Sequence, residues 1–275
     1  MISMKSPREI DTMRRSGTIT ARVLENLILA ARPGVSTGDL DALAEHQIRA
    51  ASGVPTFKGY NGFPCSICTS VNEEVVHGIP GDRLLRDGDL LSIDIGTTFE
   101  RYVSDSAVTI AIGNVSQTAQ RLMRVTQECL MRGVAQMWVG KRLGDIGAAV
   151  QEHAEANGYG VVRELVGHGI GTKMHEEPHV PNYGTAGAGM ELRSGLVLAV
   201  EPMITQSGHE VETLKDGWTV VTADGKLAAH FEHTIAIMED GPRILTLRQS
   251  GEHPDASAYA TQEWRAASLS GKGAA

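Results

Sequence analysis

The chain has 275 residues, 41% of them apolar, and its 25 basic and 33 acidic side chains leave a net charge of −8. That length allows one large domain or two small ones with a sizeable core. The acidic balance argues against nucleic acid or an anionic membrane as partner, because both demand clustered Lys and Arg. The longest apolar run, around Leu196–Val200, falls far short of the about 20 residues of a membrane span. The first residues lack the apolar stretch of a secretion signal, and three cysteines cannot staple a chain this long, so a reducing cytoplasm is the expected compartment.

Helix boundaries are legible in chain order. Ser6-Pro7-Arg8-Glu9 reads as a capping box with proline at the first helical position. Ile10, Met13, Ile19, Val23, Leu24, Leu27 and Ile28 follow at helical spacing until Arg32-Pro33-Gly34 stops the run. A second helix is predicted from Thr37 through Leu40, Leu43, Ala44 and Ile48 to Ser52-Gly53. Strand-like sequence comes next, with Gly88-Asp89 leading into Leu90–Ile95. A third helix, capped by Ser116, runs through Leu122, Val125, Leu130 and Val134, and a fourth starts near Asp145 and stops at Asn157-Gly158. Further on, Asp224-Gly225 separates Trp218–Val221 from Leu227–Ile237, the signature of a hairpin. The stretch from about Gly251 to Ala275 is rich in Ala, Ser and Gly without periodicity, and disorder is expected there.

The four helices form two similar pairs. Gly34-Val35-Ser36-Thr37-Gly38-Asp39-Leu40 resembles Gly140-Lys141-Arg142-Leu143-Gly144-Asp145-Ile146, and each copy joins a long helix to a shorter one. An internal duplication, helix–helix–strands twice over, accounts for this and predicts a site at the junction of the halves; two turns alike by chance are the alternative.

Several acids sit in strand-like apolar runs. A hairpin folding at Phe99-Glu100 would make Asp94 and Asp105 direct cross-strand partners on one face, with Cβ atoms roughly 5 Å apart. So close, they repel unless a cation lies between them; two solvated acids on an outer face are the alternative. Glu201, held extended by Pro202, and Glu232 lie in similar runs, none of which contains a Lys or Arg. Such carboxylates call for metal or basic partners when buried. His168 is flanked by glycines that permit close backbone approach. Four carboxylates and an imidazole without thiolate suit Mn, Fe, Co or Zn, and their number suits two ions about 3.5–4 Å apart better than one.

Other motifs are decoys. His175-Glu176-Glu177-Pro178-His179 matches HExxH, whose two histidines must share one helical face, and Pro178 opposes a helix there. Cys65 and Cys68 have no second pair, and in an extended strand they would face opposite sides, leaving one for a pocket wall. Gly169-Ile170-Gly171 lacks the third glycine and the strand–helix context of a dinucleotide loop.

Val71-Asn72-Glu73-Glu74-Val75-Val76-His77-Gly78-Ile79-Pro80, the Asp94/Asp105 pair, Gly167–Gly171 with His175–Pro178, Glu201-Pro202-Met203 and Phe231-Glu232-His233-Thr234 closely resemble methionine aminopeptidase, type I, in order and spacing from about Lys5 to Leu247. The resemblance implies the pita-bread fold, of α/β (α+β) class, with a curved antiparallel sheet, two helix pairs and internal pseudo-twofold symmetry. It suggests one metallopeptidase domain over residues 1–250, with pseudo-repeats at roughly 8–110 and 116–247.

Carried over by position, the resemblance has Asp94 chelate one of two divalent ions, Asp105 and Glu232 bridge both, and His168 and Glu201 hold the second; Co, Mn, Fe and Zn are all candidates. Glu201 would act as general base, and His77 and His175 would contact the scissile peptide and its carbonyl oxygen. Tyr60, Phe63, Cys68 and Trp218 would line a methionine pocket, with Met174 at a position commonly aromatic in the family. Val103-Ser104 stands where His-Gly is frequent. The absence of a zinc-finger extension and of a long second-half insertion fits the short form. The implied activity is removal of the N-terminal methionine from nascent proteins and Met-initiated peptides, with preference for a small second residue. A monomer is expected, with the ribosome a candidate partner and no direct contact to nucleic acid or membrane. A relative cleaving before proline, or a non-catalytic scaffold of the same fold, is the competing reading.

Overall fold

The four expected helices form where their caps place them. The computed structural model describes residues 2–249, so the stretch expected to be disordered lies outside the described residues. Helix α1 spans Pro7–Ala30, and its box is reciprocal: Ser6 Oγ accepts from the Glu9 N–H while the Glu9 carboxylate accepts from the Ser6 N–H at 2.7 Å. Helix α2, Thr37–Ala50, repeats the device with Ser36 and Asp39, and α3, Gln117–Val134, is capped by Ser116. Helix α4, Leu143–Ala156, starts ahead of Asp145 because that carboxylate reaches back to the Arg142 N–H at 2.7 Å, as an acid in the first turn does. Leu24, Leu27, Leu40, Ile48 and Ile146 turn inward and are fully buried, each contributing about 1.5–3 kcal/mol relative to exposure. No helix among the described residues is long and apolar enough to cross a membrane.

The strands of the first half are β1 (Val54–Pro55), β2 (Ile67–Val71), β3 (Glu74–Val76), β4 (Leu90–Phe99) and β5 (Tyr102–Ala111). Strand β4 carries β5 along one edge and β2 and β1 along the other. The second half supplies β6 (Gly160–Val161), β7 (Gly167–Gly169), β8 (Glu176–Val180), β9 (Val197–Val200), β10 (Met203–Thr205), β11 (Val211–Thr213), β12 (Val220–Thr222), β13 (Ala228–His230), β14 (His233–Met238) and β15 (Gly241–Ile244). Its main sheet has the order β15-β14-β9-β7-β8, and two smaller sheets run β13-β10-β6 and β11-β12-β3. Every pairing is antiparallel.

Two sequence expectations are corrected here. The β4–β5 loop is Glu100-Arg101, with φ of 46° and 74°, so Phe99 pairs with Tyr102. Asp94 therefore faces Ala107 and Asp105 faces Gly96: the two acids are diagonal rather than direct partners. They still share one face, because the slip is two residues and side chains alternate with that period. The left-handed loop suits the twist of the flanking strands, and Arg15 of α1 grips it through Glu100 at 3.0 Å. At Asp224-Gly225 the chain does turn, but the flanking strands do not pair: β12 lies between β11 and β3, and β13 pairs with β10. The long apolar run also breaks at Phe231-Glu232, giving β13 and β14 to different sheets.

The paired turns are alike in hydrogen bonding. Gly34 and Gly140, with φ of 89° and 87°, donate to the Leu85 and Leu192 carbonyls, and Gly38 and Gly144 donate to those of Gly81 and Ala188. Between the halves β5 meets the β13–β14 junction: the Glu232 N–H donates to Ala107 O at 2.9 Å, Ser106 Oγ to Glu232 O at 2.8 Å, and Thr234 Oγ1 to Asp105 O at 2.8 Å. Two site acids are thus anchored to each other's strand across the junction.

Candidate active site

A cavity of about 240 Å³ opens at this junction. Asp94 comes from β4, Asp105 from β5, His168 from β7, Glu201 from the end of β9, and Glu232 from the break between β13 and β14; all five line the cavity. Close packing explains the glycines around His168. A Cβ on Gly167 would lie 2.4 Å from Ala199 O, and one on Gly169 would lie 2.3 Å from Glu177 O. Strand β7 fits between β9 and β8 only without those side chains.

Asp105, His168 and Glu232 each bring a ligand atom to within 4.8 Å of one another, and all three are buried. His168 Nδ1 lies 2.9 Å from Gly169 O, a donor's distance that leaves Nε2 as the free lone pair. That Nε2 is 3.5 Å from Glu201 Oε1 and 3.9 Å from Asp105 Oδ2. Asp94 lies within hydrogen-bonding reach of Asp105. Burial pushes Asp94 up to about 7. Burial, then the negative charges of neighbouring acids, push Asp105, Glu201 and Glu232 well above the usual carboxylate range. Burial, then the nearby His175, holds His168 down to about 4, so its imidazole is neutral.

This donor set fits divalent cations. Asp94 Oδ1, Asp105 Oδ1 and Glu232 Oε1 are buried without a hydrogen-bond partner, and no Lys or Arg lines the cavity among the described residues. Four carboxylates crowded away from water need positive charge, and the neutral imidazole and hard oxygens suit a hard or borderline ion.

The remaining sequence-selected residues also line the cavity: Tyr60, Phe63, Cys68, His77, Met174, His175 and Trp218. Phe63 and Trp218 meet edge to face, with centroids 5.1 Å apart. Cys68 is the cavity-facing thiol of its pair, buried, with its pKa raised by that burial. His77 has a left-handed φ of 61°, uncommon for a residue with a side chain. His175 sits at the mouth, its ring 4.3 Å from that of His168 and its Nδ1 2.7 Å from Tyr60 Oη. Burial lowers the pKa of both His77 and His175, with neighbouring imidazoles adding to the shift. The HExxH decoy lies largely in strand β8, as Pro178 predicts.

Sequence reasoning missed some of the wall. Phe57, Val76, Leu165 and Met203 line it as well, two of them, Val76 and Met203, within motifs already singled out. It also missed His230, buried on β13 with Nε2 4.0 Å from Glu201 Oε2. Burial, then His77, lowers His230 to about 3. Its place in an apolar strand two residues before Glu232 was the available signal.

The model of metallopeptidase family M24 matches residues 11–239. A methionine aminopeptidase of Clostridium acetobutylicum is 52% identical over 248 residues, covering 90% of this chain and 99% of that relative. The chain belongs to the methionine aminopeptidases of family M24. Among solved structures, methionine aminopeptidase from Rickettsia prowazekii superposes with a TM-score of 0.89 at 39% identity, covering 90% of this chain and all of that one. The prolidase of Pyrococcus horikoshii, at 21% identity and TM-score 0.71, shares the fold and is covered over only 64% of its length. The fold of this M24 chain is accordingly pita-bread, with helix pairs backing curved antiparallel sheets, and its membership makes it a metal-dependent hydrolase.

Proposed function

We propose that the protein removes N-terminal methionine from nascent polypeptides and Met-initiated peptides, using two divalent ions held by Asp94, Asp105, His168, Glu201 and Glu232. The observation carrying this reading is the buried Asp105–His168–Glu232 cluster beside an apolar and aromatic wall. Asp94 beside Asp105 and Glu201 beside His168 enlarge that cluster to five donors, which supports two ions rather than one. When bound, divalent ions acidify water and polarise a carbonyl.

The chain's own groups orient the reaction. Tyr60, Phe63, Cys68, Met174 and Trp218 take up the methionine side chain, whose thioether packs on sulfur and aromatic edges. The Asp94 carboxylate would receive the substrate amino group, which limits cleavage to one residue. Glu201 takes the proton of the attacking water and delivers it to the leaving amine. His175, at the mouth, donates to the carbonyl oxygen as charge develops there, and His77 contacts the scissile peptide. A second residue crowded by His77 and His175 would have to be small. The duplicated turns support a single domain built from two copies, with the boundaries expected above. We read the protein as a cytoplasmic monomer that meets its substrates at or near the ribosome.

The test is hydrolysis of Met-Ala-Ser against an Ala-Pro substrate after reloading the apoprotein with Co, Mn, Fe or Zn in turn. Cleavage of the first alone is expected; cleavage of Ala-Pro alone would overturn the reading.

A further inference from the structure

Glu176 follows His175 directly, yet its carboxylate is engaged away from the cavity. Lys5, in the segment ahead of α1, places Nζ 2.6 Å from Glu176 Oε2, and the two side chains are only 4% and 13% exposed. Lys5 Nζ also donates to Ser3 O at 3.1 Å, and the Lys5 backbone N–H donates to Gly195 O at 2.7 Å. The other carboxylate oxygen, Oε1, accepts from the Lys173 N–H at 3.2 Å, and the Gly171 N–H donates to Lys173 O at 3.2 Å. Glu176 thereby closes the Gly171–His175 loop on itself and ties it to a residue 171 positions away. A Cβ on Gly171 would lie 2.5 Å from Glu176 Oε1 and 2.6 Å from Lys5 Cε, so the pair fills the space that this glycine leaves.

A buried ion pair is a poor source of stability, since apolar side chains of similar shape often fold as well. What it enforces is position, because any displacement strands a charge away from water. The backbone it holds here is that of His175, whose ring meets that of His168 edge to face with centroids 4.3 Å apart and bonds Tyr60. Neither Lys5 nor Glu176 lines the cavity.

We infer that the Lys5–Glu176 pair is a positioning element for His175, which makes the segment ahead of the first helix part of the active site. The inference rests on the role given to His175 above. Lys5→Met and Glu176→Gln should each lower kcat on Met-Ala-Ser by roughly 10- to 100-fold, the effect of an ångström-scale misplacement. KM should stay within about twofold, because neither side chain lines the cavity and the apolar wall is unchanged. Metal content should be unchanged, and the double variant should fall no further than either single one, since both remove the same interaction. Nitrogen-15 ring spectra should show the His175 signals shifted in both variants.

A pair that only stabilised the fold would lower Tm while leaving kcat and the His175 signals as in the wild type, and that result overturns the inference. His175→Ala separates the two levels. If that variant is fully active, the reading of His175 falls and this inference with it. If it is impaired while folded Lys5→Met and Glu176→Gln are not, only this inference falls. Should Lys5→Met not fold, Gly171→Ala displaces the same pair by a single methyl, and full kcat in that folded variant is equally decisive against the inference.

Discussion

Glu201 occupies in the second half the place that Asp94 occupies in the first. Each lies in a run that begins at a left-handed glycine, Gly88 with φ 96° and Gly195 with φ 89°, the acid following at the same spacing. Each glycine N–H donates at 2.9 Å to an isoleucine carbonyl, that of Ile112 just past the end of β5 and that of Ile237 in β14. Ile93, just before Asp94, pairs with Val108, and Val200, just before Glu201, pairs with His233. The same local device therefore aims one acid from each half into the shared cavity, which is how a pseudo-twofold fold assembles a cluster that neither half holds alone.

Glu232 brings a buried Oε1 without a hydrogen-bond partner to the cluster, so loss of its side chain tests the ligand assignment directly. Glu232→Ala should lose metal, read by elemental analysis of the dialysed protein. Activity should fall by more than the roughly 100-fold that loss of an outer partner costs. A fully active variant with wild-type metal content contradicts the ligand assignment.

The glycine after His168 is a packing requirement. Gly169→Ala would press a methyl against Glu177 O, at 2.3 Å in the present geometry. The strands must part, at a cost of about 1–3 kcal/mol. A lowered Tm together with weakened metal binding is expected, measured by thermal melts and by titration of the apoprotein.

Phe63 should act on binding more than on chemistry. Truncation in Phe63→Ala removes the edge-to-face partner of Trp218 and opens the apolar wall of the cavity. KM for Met-Ala-Ser should rise roughly 10- to 100-fold, the factor that 1.5–3 kcal/mol of apolar burial corresponds to, with a smaller change in kcat. Steady-state kinetics over a wide substrate range decides this.

Acid stability should report the first helix cap. The Ser6 backbone N–H, then its hydroxyl, then Tyr102 Oη, hold Glu9 down to about 2, against 4.5 when unfolded. A depressed carboxyl pKa contributes stability that is complete above pH 4.5 and is lost as pH falls through about 2. Glu9→Gln should therefore melt below the wild type at pH 7, and the gap between them should shrink as pH drops through that window. A gap independent of pH counts against the cap as its source.

Local chemistry was enough to read much of this protein from its residues. The boxes at Ser6 and Ser36, the stop at Pro33-Gly34 and the apolar spacing of Leu24 and Leu27 act within a turn or two, so they place helices without reference to the rest of the chain. Acids in apolar strands without a basic neighbour likewise announce Asp94, Asp105, Glu201 and Glu232 as a chemical set. Only the tertiary structure decided that Asp94 and Asp105 are diagonal, because the register depends on which two residues take up left-handed φ. It alone paired β12 with β3 and β11 instead of β13, brought the orphaned ring of His230 to Glu201, and buried Lys5 against Glu176. Those outcomes are settled by which surfaces are left to be covered once the helices and long strands have packed, and contacts spanning 171 residues leave no periodic trace in sequence.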